Sequence, residues 1–223
     1  MKRILLGILS VVLLSSAAGA ATCGSVAGQA IFNSGVNQGF SCSIGGLTFS
    51  NFGFVNAGND AQPSVFFIGA TVDAAGSVNF SFNPFMAVGG GFQAQDIEFT
   101  FAVSTDHSIP FVGLFLNGAF GTVTEQMCSS SPTVPGSCDA GTALTPTNGL
   151  HNASTLPNQV VTLSPAATGT FYVTKDIQLN APSGQVGAIS NITESFDIPE
   201  PTTLFLLGSG LLGFGIIRRR KRK

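Results

Sequence analysis

Charge is what this chain has least of, and its placement is uneven. Only 9% of the 223 residues are charged, against roughly a quarter in an ordinary globular domain. Eight of the nine Lys and Arg sit at the two ends, and Lys175 is the single base between Arg3 and Arg218. Residues 21 to 198 hold ten acidic side chains and that one lysine, a balance of −9. Such a middle lacks the cationic surface that a phosphate backbone demands, so nucleic acid is excluded as a partner. Tryptophan is absent and Tyr172 is the one tyrosine, which weighs mildly against sugar binding, since sugars usually stack on these amphipathic rings. No Gly-x-Ser-x-Gly turn or other nucleophile signature occurs. His107 follows Asp106, and His151 stands in a polar stretch; neither histidine has zinc-site spacing to the cysteines. Sustained helical periodicity is missing as well. What the chain does have is 20 Phe and 28 Gly, enough apolar bulk for one real core and not the composition of a disordered polyelectrolyte.

The two ends read as addresses. Lys2 and Arg3 precede the apolar run Ile4 to Leu14, and small residues follow up to Ala20. This is the order of a secretory signal peptide over residues 1–20, with cleavage expected between Ala20 and Ala21. The run is shorter than the ~20 apolar residues of a membrane span. Cys23 is preceded by Thr22, not by the small residue a lipoprotein signal requires. At the other end Pro199-Glu200-Pro201 leads into sixteen uncharged residues, Thr202 to Ile217, and then Arg218, Arg219, Arg220, Lys221, Arg222 and Lys223. As a helix those sixteen residues would measure about 24 Å, just short of a ~30 Å hydrocarbon core. The basic cluster would stay cytoplasmic, which puts everything upstream on the far side of the membrane.

The proline-flanked glutamate, the Gly-rich apolar segment and the terminal basic cluster, in this order behind a signal peptide, resemble the PEP-CTERM sorting signal. The resemblance covers residues 199–223. It implies recognition by exosortase, a membrane cysteine transpeptidase of Gram-negative bacteria that make exopolysaccharide. Pro199, Glu200 and Pro201 would be the recognition motif, Thr202 to Ile217 a transient inner-membrane helix, and Arg218 to Lys223 the stop-transfer cluster. It further implies cleavage near the motif and release to the cell surface or extracellular matrix. A single-pass anchor that is never cut is the competing reading. Prolines on both sides of Glu200 favour an extended segment that a protease can grip, which a bare anchor does not need.

Between the addresses, over residues 21–198, apolar residues recur with period two. Val78, Phe80 and Phe82 alternate with polar neighbours; so do Ile97, Phe99, Phe101 and Val103, leaving Asp96 and Glu98 on the solvent face; so do Phe171, Val173, Ile177 and Leu179. Shorter strands are expected at Leu47 to Phe54, Val65 to Ile68, Phe111 to Leu116, Val160 to Leu163 and Val186 to Phe196. Eight to ten short strands predict an all-β domain, an antiparallel β-sandwich with the jelly roll as one form and a barrel as the other choice. Lys175 shares the parity of the inward residues, where an unpaired ammonium is costly. A bulge near Thr174 or Asp176, or an edge position, is the expected escape. Residues 129–158 are rich in Ser, Thr, Pro, Gly and Asn and predict a long polar, solvated loop without ladder bonding.

Cys23, Cys42, Cys128 and Cys138 on an exported chain predict two disulfides. Four cysteines allow three pairings, and proximity favours Cys23 with Cys42 and Cys128 with Cys138. No cofactor or metal is expected. Asn56 to Asp60 and Asp73 to Gly76 are oxygen-rich turns that match neither the EF-hand nor the Gly-Gly-x-Gly-x-Asp repeat. Gln93 and Gln95 could meet sugar hydroxyls, and Asn79, Asn152 and Asn191 head Asn-x-Ser/Thr triplets. The expectation is a non-enzymatic surface or exopolysaccharide-matrix protein, whose partners are exosortase, the inner membrane in transit, and exopolysaccharide or other surface proteins. A secreted carbohydrate-binding module is the alternative, and a hydrolase with an unrecognised acidic site stands third.

Overall fold

The computed structural model describes residues 21–56, 64–88, 95–145, 150–153 and 159–198. The expected signal peptide 1–20 and the segment 199–223 lie outside these residues, as do Gln93 and Asp60. Among these residues thirteen strands form: β1 Ala21–Thr22, β2 Ala30–Asn33, β3 Val36–Asn37, β4 Cys42–Ile44, β5 Leu47–Asn56, β6 Val65–Val72 and β7 Val78–Asn83. They continue as β8 Met86–Val88, β9 Gln95–Ala119, β10 Gly121–Cys128, β11 Leu150–Ala153, β12 Gln159–Leu179 and β13 Gly187–Asp197. One 3-10 turn, Cys23–Ser25, is the single helical element among the described residues.

The domain is all-β, but its layers are not two separate sheets. Hydrogen bonds join all thirteen strands into one sheet, in the order β1-β4-β5-β9-β13-β7-β6-β2-β3, with β12, β10 and β11 branching from β9 and with β8 on β13. Every pairing is antiparallel except β1 with β4. The sheet stays continuous because β9 and β12 are too long to end at its edge. The stretches expected as separate strands at Ile97–Val103 and Phe111–Leu116 are one strand, β9; those at Val160–Leu163 and Phe171–Leu179 are both β12. The first part of β9 pairs β5, and its last part pairs β13. Between them the β9–β12 register slips, at Thr162/Ala167 and at Ala167/Gly169, where Pro110 and Pro165 withhold backbone donors. The inward parity of β9 changes there too, from Ile97, Phe99, Phe101, Val103 and Ile109 to Val112 and Leu114. The sheet therefore curls, and one half faces the other.

Phenylalanine fills the space between the halves. Phe49 of β5 stacks on Phe80 of β7 with ring centroids 4.2 Å apart, Phe99 of β9 meets Phe82 of β7 at 5.1 Å, and Phe171 of β12 meets Phe196 of β13 at 6.2 Å. The burial of β7 alternates without a break: Val78, Phe80 and Phe82 are fully buried. Each buried ring contributes roughly 1.5–3 kcal/mol before ordering entropy is subtracted.

The stretch 129–145 departs from the expectation of a solvated loop. It folds back on β10, with Ser129 N donating to Thr142 O, Leu144 N to Met127 O and Ser164 N to Leu144 O. Thr133 donates through N and Oγ1 to Asp139. Residues 150–153, also expected to lack ladder bonding, form β11 and pair with β10 at Thr122–Glu125. Strand β10 itself carried a weak signal, because Glu125 occupies an inward position of the Val123, Glu125, Met127 alternation.

Phe80 touches the rings of Phe49, Phe52, Phe67, Phe82 and Phe101. Phe80→Ala is expected to cost about 3–5 kcal/mol, read as a lowered midpoint of urea unfolding, because so enclosed a site cannot collapse on the void.

Candidate functional site

The folded domain runs directly into the proline-glutamate-proline segment. Strand β13 ends at Asp197, Ile198 is 8% exposed, and Pro199 follows. Asp197 is held at both flanks: its backbone pairs with Phe111 of β9, and Oδ1 accepts from Ser77 Oγ at 3.3 Å. The motif thus hangs from a strand inside the sheet, with β7 on one side and β9 on the other. Pro199, Glu200, Pro201 and the basic residues 218–223 lie outside the described residues, as does Ala20; Ala21 opens β1. Among the described residues no helix is long and apolar enough to cross a membrane, and the expected membrane segment is outside them.

The cysteines join the pairs nearest in sequence. Cys23–Cys42 ties the 3-10 turn to β4 with Cα atoms 4.8 Å apart; Cys128–Cys138, at 5.4 Å, closes the turn leaving β10.

Lys175 takes neither expected escape. The register of β12 runs unbroken from Gly169 to Leu179 against β9, and Lys175 is opposed by Glu125 of β10 on one side and Phe99 of β9 on the other. Lys175 is 0% exposed, and its Nζ contacts two carboxylates that are 0% exposed themselves, Oε2 of Glu125 and Oε1 of Glu194. Glu194 comes from β13 in the facing half, between Phe80 of β7 and Leu114 of β9. The Phe82 ring lies 6.0 Å from Nζ. Burial pushes the Lys175 ammonium below its ordinary value, against the pull of Glu194. Burial pushes the Glu194 carboxyl up, against the pull of Lys175. Among the described residues Glu125 Oε1 and Glu194 Oε2 have no hydrogen-bond partner. Neither glutamate was singled out from the sequence, although both carried the signal: Glu125 shares parity with Val123 and Met127, and Glu194 with Ile192 and Phe196.

A second acidic group lies on the outer face. Asp96 and Glu98 of β9 stand opposite Gln178 and Asp176 of β12. Far from being freely solvated, this face is partly roofed by the 129–145 stretch, whose Gly136 N donates to Thr174 Oγ1. Thr174 is fully buried beneath it. A Cβ on Gly136, whose φ is +94°, would come within 2.9 Å of the Glu98 side chain. Burial, and then the charge of Asp176, raises the Asp96 carboxyl to about 6; the same two causes push Glu98 up. Among the described residues no three His, Cys, Asp or Glu side chains are grouped to hold a metal ion.

The remaining sequence candidates are scattered. His107 Nε2 lies 3.2 Å from its neighbour Asp106 and packs over Gly46. The His151 backbone pairs with Thr124. In the Asp73–Gly76 turn, Asp73 Oδ1 accepts from Ala75 N and Ser77 N. Asn79 and Asn191 sit half-buried in strands β7 and β13. Beside His107 a shallow depression of about 470 Å³ is lined by Ser43, Thr48, Ser104 and Thr170, with Asp106 at its border. These four hydroxyls stand in register across β4, β5, β9 and β12 and bond in pairs, Ser43 with Thr48 at 2.7 Å and Ser104 with Thr170 at 2.9 Å.

Comparison with known proteins adds one firm finding. Residues 197–221 match the PEP-CTERM protein-sorting motif. No curated protein matches the chain. Among solved structures it is similar to TmCBM61 in complex with β-1,4-galactotriose, at 12% identity and a TM-score of 0.33 over 65% of this chain and 88% of that one. A bacteriophage CBA120 tailspike protein 4 enzymatically active domain follows at 12% identity and 0.30, over 66% of this chain and 19% of that one. A family two carbohydrate esterase from Cellvibrio japonicus stands at 11% and 0.19, over 68% and 36%. Likenesses this slight carry no functional argument.

Asp96 titrates with a value raised from 3.8 to about 6, so its contribution to stability is present below the unfolded value and lost as pH rises through the folded one. Asp96→Asn is expected to raise the melting temperature at pH 7.5 and to change it little at pH 3.5. Equal shifts at both pH values would contradict the desolvated, charge-crowded carboxyl.

Proposed function

We propose, from the premise that this chain carries a PEP-CTERM sorting motif, that it is an exported bacterial surface or exopolysaccharide-matrix protein processed by exosortase, with a non-enzymatic, structural role. The observation that carries the reading is the junction. The matched segment begins at Asp197, the last residue of β13, so the sorting signal starts where the fold ends. Cleavage near Pro199–Pro201 would free a domain whose strands, disulfides and core, among the described residues, lie upstream. Two disulfides and a Phe-filled core suit the oxidising exterior to which the motif leads. Before processing, the few residues between β13 and the apolar segment would hold the domain close against the membrane.

A second reading, a carbohydrate-binding module, is favoured by the depression in which Ser43, Thr48, Ser104 and Thr170 present hydroxyls beside Asp106. Against it, those hydroxyls already satisfy one another in pairs, and among the described residues no aromatic ring lines the depression.

The test is the intact mass of the protein recovered from the surface and medium of its native host. The expected mass lacks the tail beyond the Pro199–Pro201 region, and replacing Pro199, Glu200 and Pro201 together by Ala should return the tail and hold the chain in the membrane fraction. A wild-type chain that keeps Arg218 to Lys223 would make this an anchored ectodomain. Saturable binding on a glycan array, lost in Thr48→Val/Ser104→Ala, would favour the second reading.

A further inference from the structure

We propose that Lys175 and Glu125 are joined by an intramolecular amide bond, formed spontaneously after folding with Glu194 as the proton carrier. The charge triad is otherwise hard to account for. Two carboxylates and one ammonium, each 0% exposed, lie in a core of phenylalanine rings with no other charged side chain buried among the described residues. Ionised in full, the group would hold a net negative charge out of water, and ion pairs in such surroundings seldom repay their desolvation. Condensation replaces the Lys175–Glu125 ion pair by a neutral amide and expels a water that the dry core does not favour.

The parts stand where this chemistry needs them. Lys175 and Glu125 are directly opposed on neighbouring antiparallel strands, so their side chains run alongside each other and their ends are held together without further ordering. Glu194 reaches the same Nζ from the facing half of the sheet, the side from which a proton can be taken without blocking the carboxyl of Glu125. Desolvation favours the uncharged amine, which is the nucleophilic form, and the proton that Lys175 gives up to the Glu125 oxygen it touches turns that oxygen into a leaving hydroxyl while Glu194 stays ionised. The balance is complete. The Lys175 Nζ lone pair attacks Cδ of protonated Glu125, Glu194 takes a proton from Nζ and passes it to the departing hydroxyl, the Cδ–O bond breaks, and one water leaves. No oxidant, cofactor or activated ester is required. The product would staple β12 to β10 with a bond that neither denaturant nor reductant opens.

The sequence supplies its own assay, since Lys175 is the only Lys or Arg between Arg3 and Arg218. The full chain is purified, reduced, alkylated, denatured and digested with trypsin. The expected result is no cut after Lys175 and a fragment spanning Glu125 to Glu194 lighter than its sequence by one water. Chymotryptic mapping should then yield a branched peptide joining Lys175 to Glu125. Glu125→Ala and Glu194→Gln should each restore the cut and the full mass, with circular dichroism reporting that the β-fold persists. Wild-type chain cleaved after Lys175 into two fragments of unmodified mass overturns the proposal whatever the variants do. A branch at Glu194 in place of Glu125, or bond formation undiminished in Glu194→Gln, overturns the assignment of roles.

Discussion

The pairing of β9 with β12 is the constraint from which the rest of the structure follows. Both strands run the length of the domain, both bend where their register slips, and each contributes to both halves of the sheet. Because their backbone groups stay hydrogen-bonded to each other on either side of the bend, the sheet cannot separate into independent layers. It can only curl. The curl brings β5 over β7 and β12 over β13, and the phenylalanines of alternating parity close the space between them.

The same curl creates the buried charge site. On a flat sheet Lys175 and Glu125 would face solvent as an ordinary cross-strand pair. Folding the sheet over encloses them and brings Glu194 across from β13. Charge is scarce in this chain, and three of the eleven charged groups of residues 21–198 are gathered at one dry point. That concentration marks the site as more than packing, because three apolar side chains would fill the same volume at no desolvation cost.

The outer surface and the C-terminal junction serve a different demand. The 129–145 stretch roofs the outer face of β12 and β9 through Gly136 and Thr174, and is closed by Cys128–Cys138. The matched sorting motif begins at the end of β13. Among the described residues the continuous sheet and both disulfides lie upstream of Pro199.

Much of this was legible in the sequence, and the boundary of what was legible has a physical cause. The all-β class, the alternating strands at Val78–Phe82 and Phe171–Leu179, and the sorting motif are local properties: a period of two and a short segment with its own composition declare themselves residue by residue. The inward parity of Lys175 was equally local, but the expected escape through a bulge or an edge position was wrong, because the buried carboxylates that receive its ammonium come from distant strands. What parity could not supply was the partner. Glu125 is 50 residues before Lys175 and Glu194 is 19 after it, and only the curl of the sheet brings their carboxylates to one amine. The merging of four expected strands into β9 and β12, the crowding that raises Asp96, and the folding back of 129–145 are likewise decided by long-range pairing. The sequence by itself determined which face of each strand is apolar and where the chain is addressed. Tertiary structure decided which of those faces meet, because contacts between strands distant in the chain depend on the path of the whole sheet.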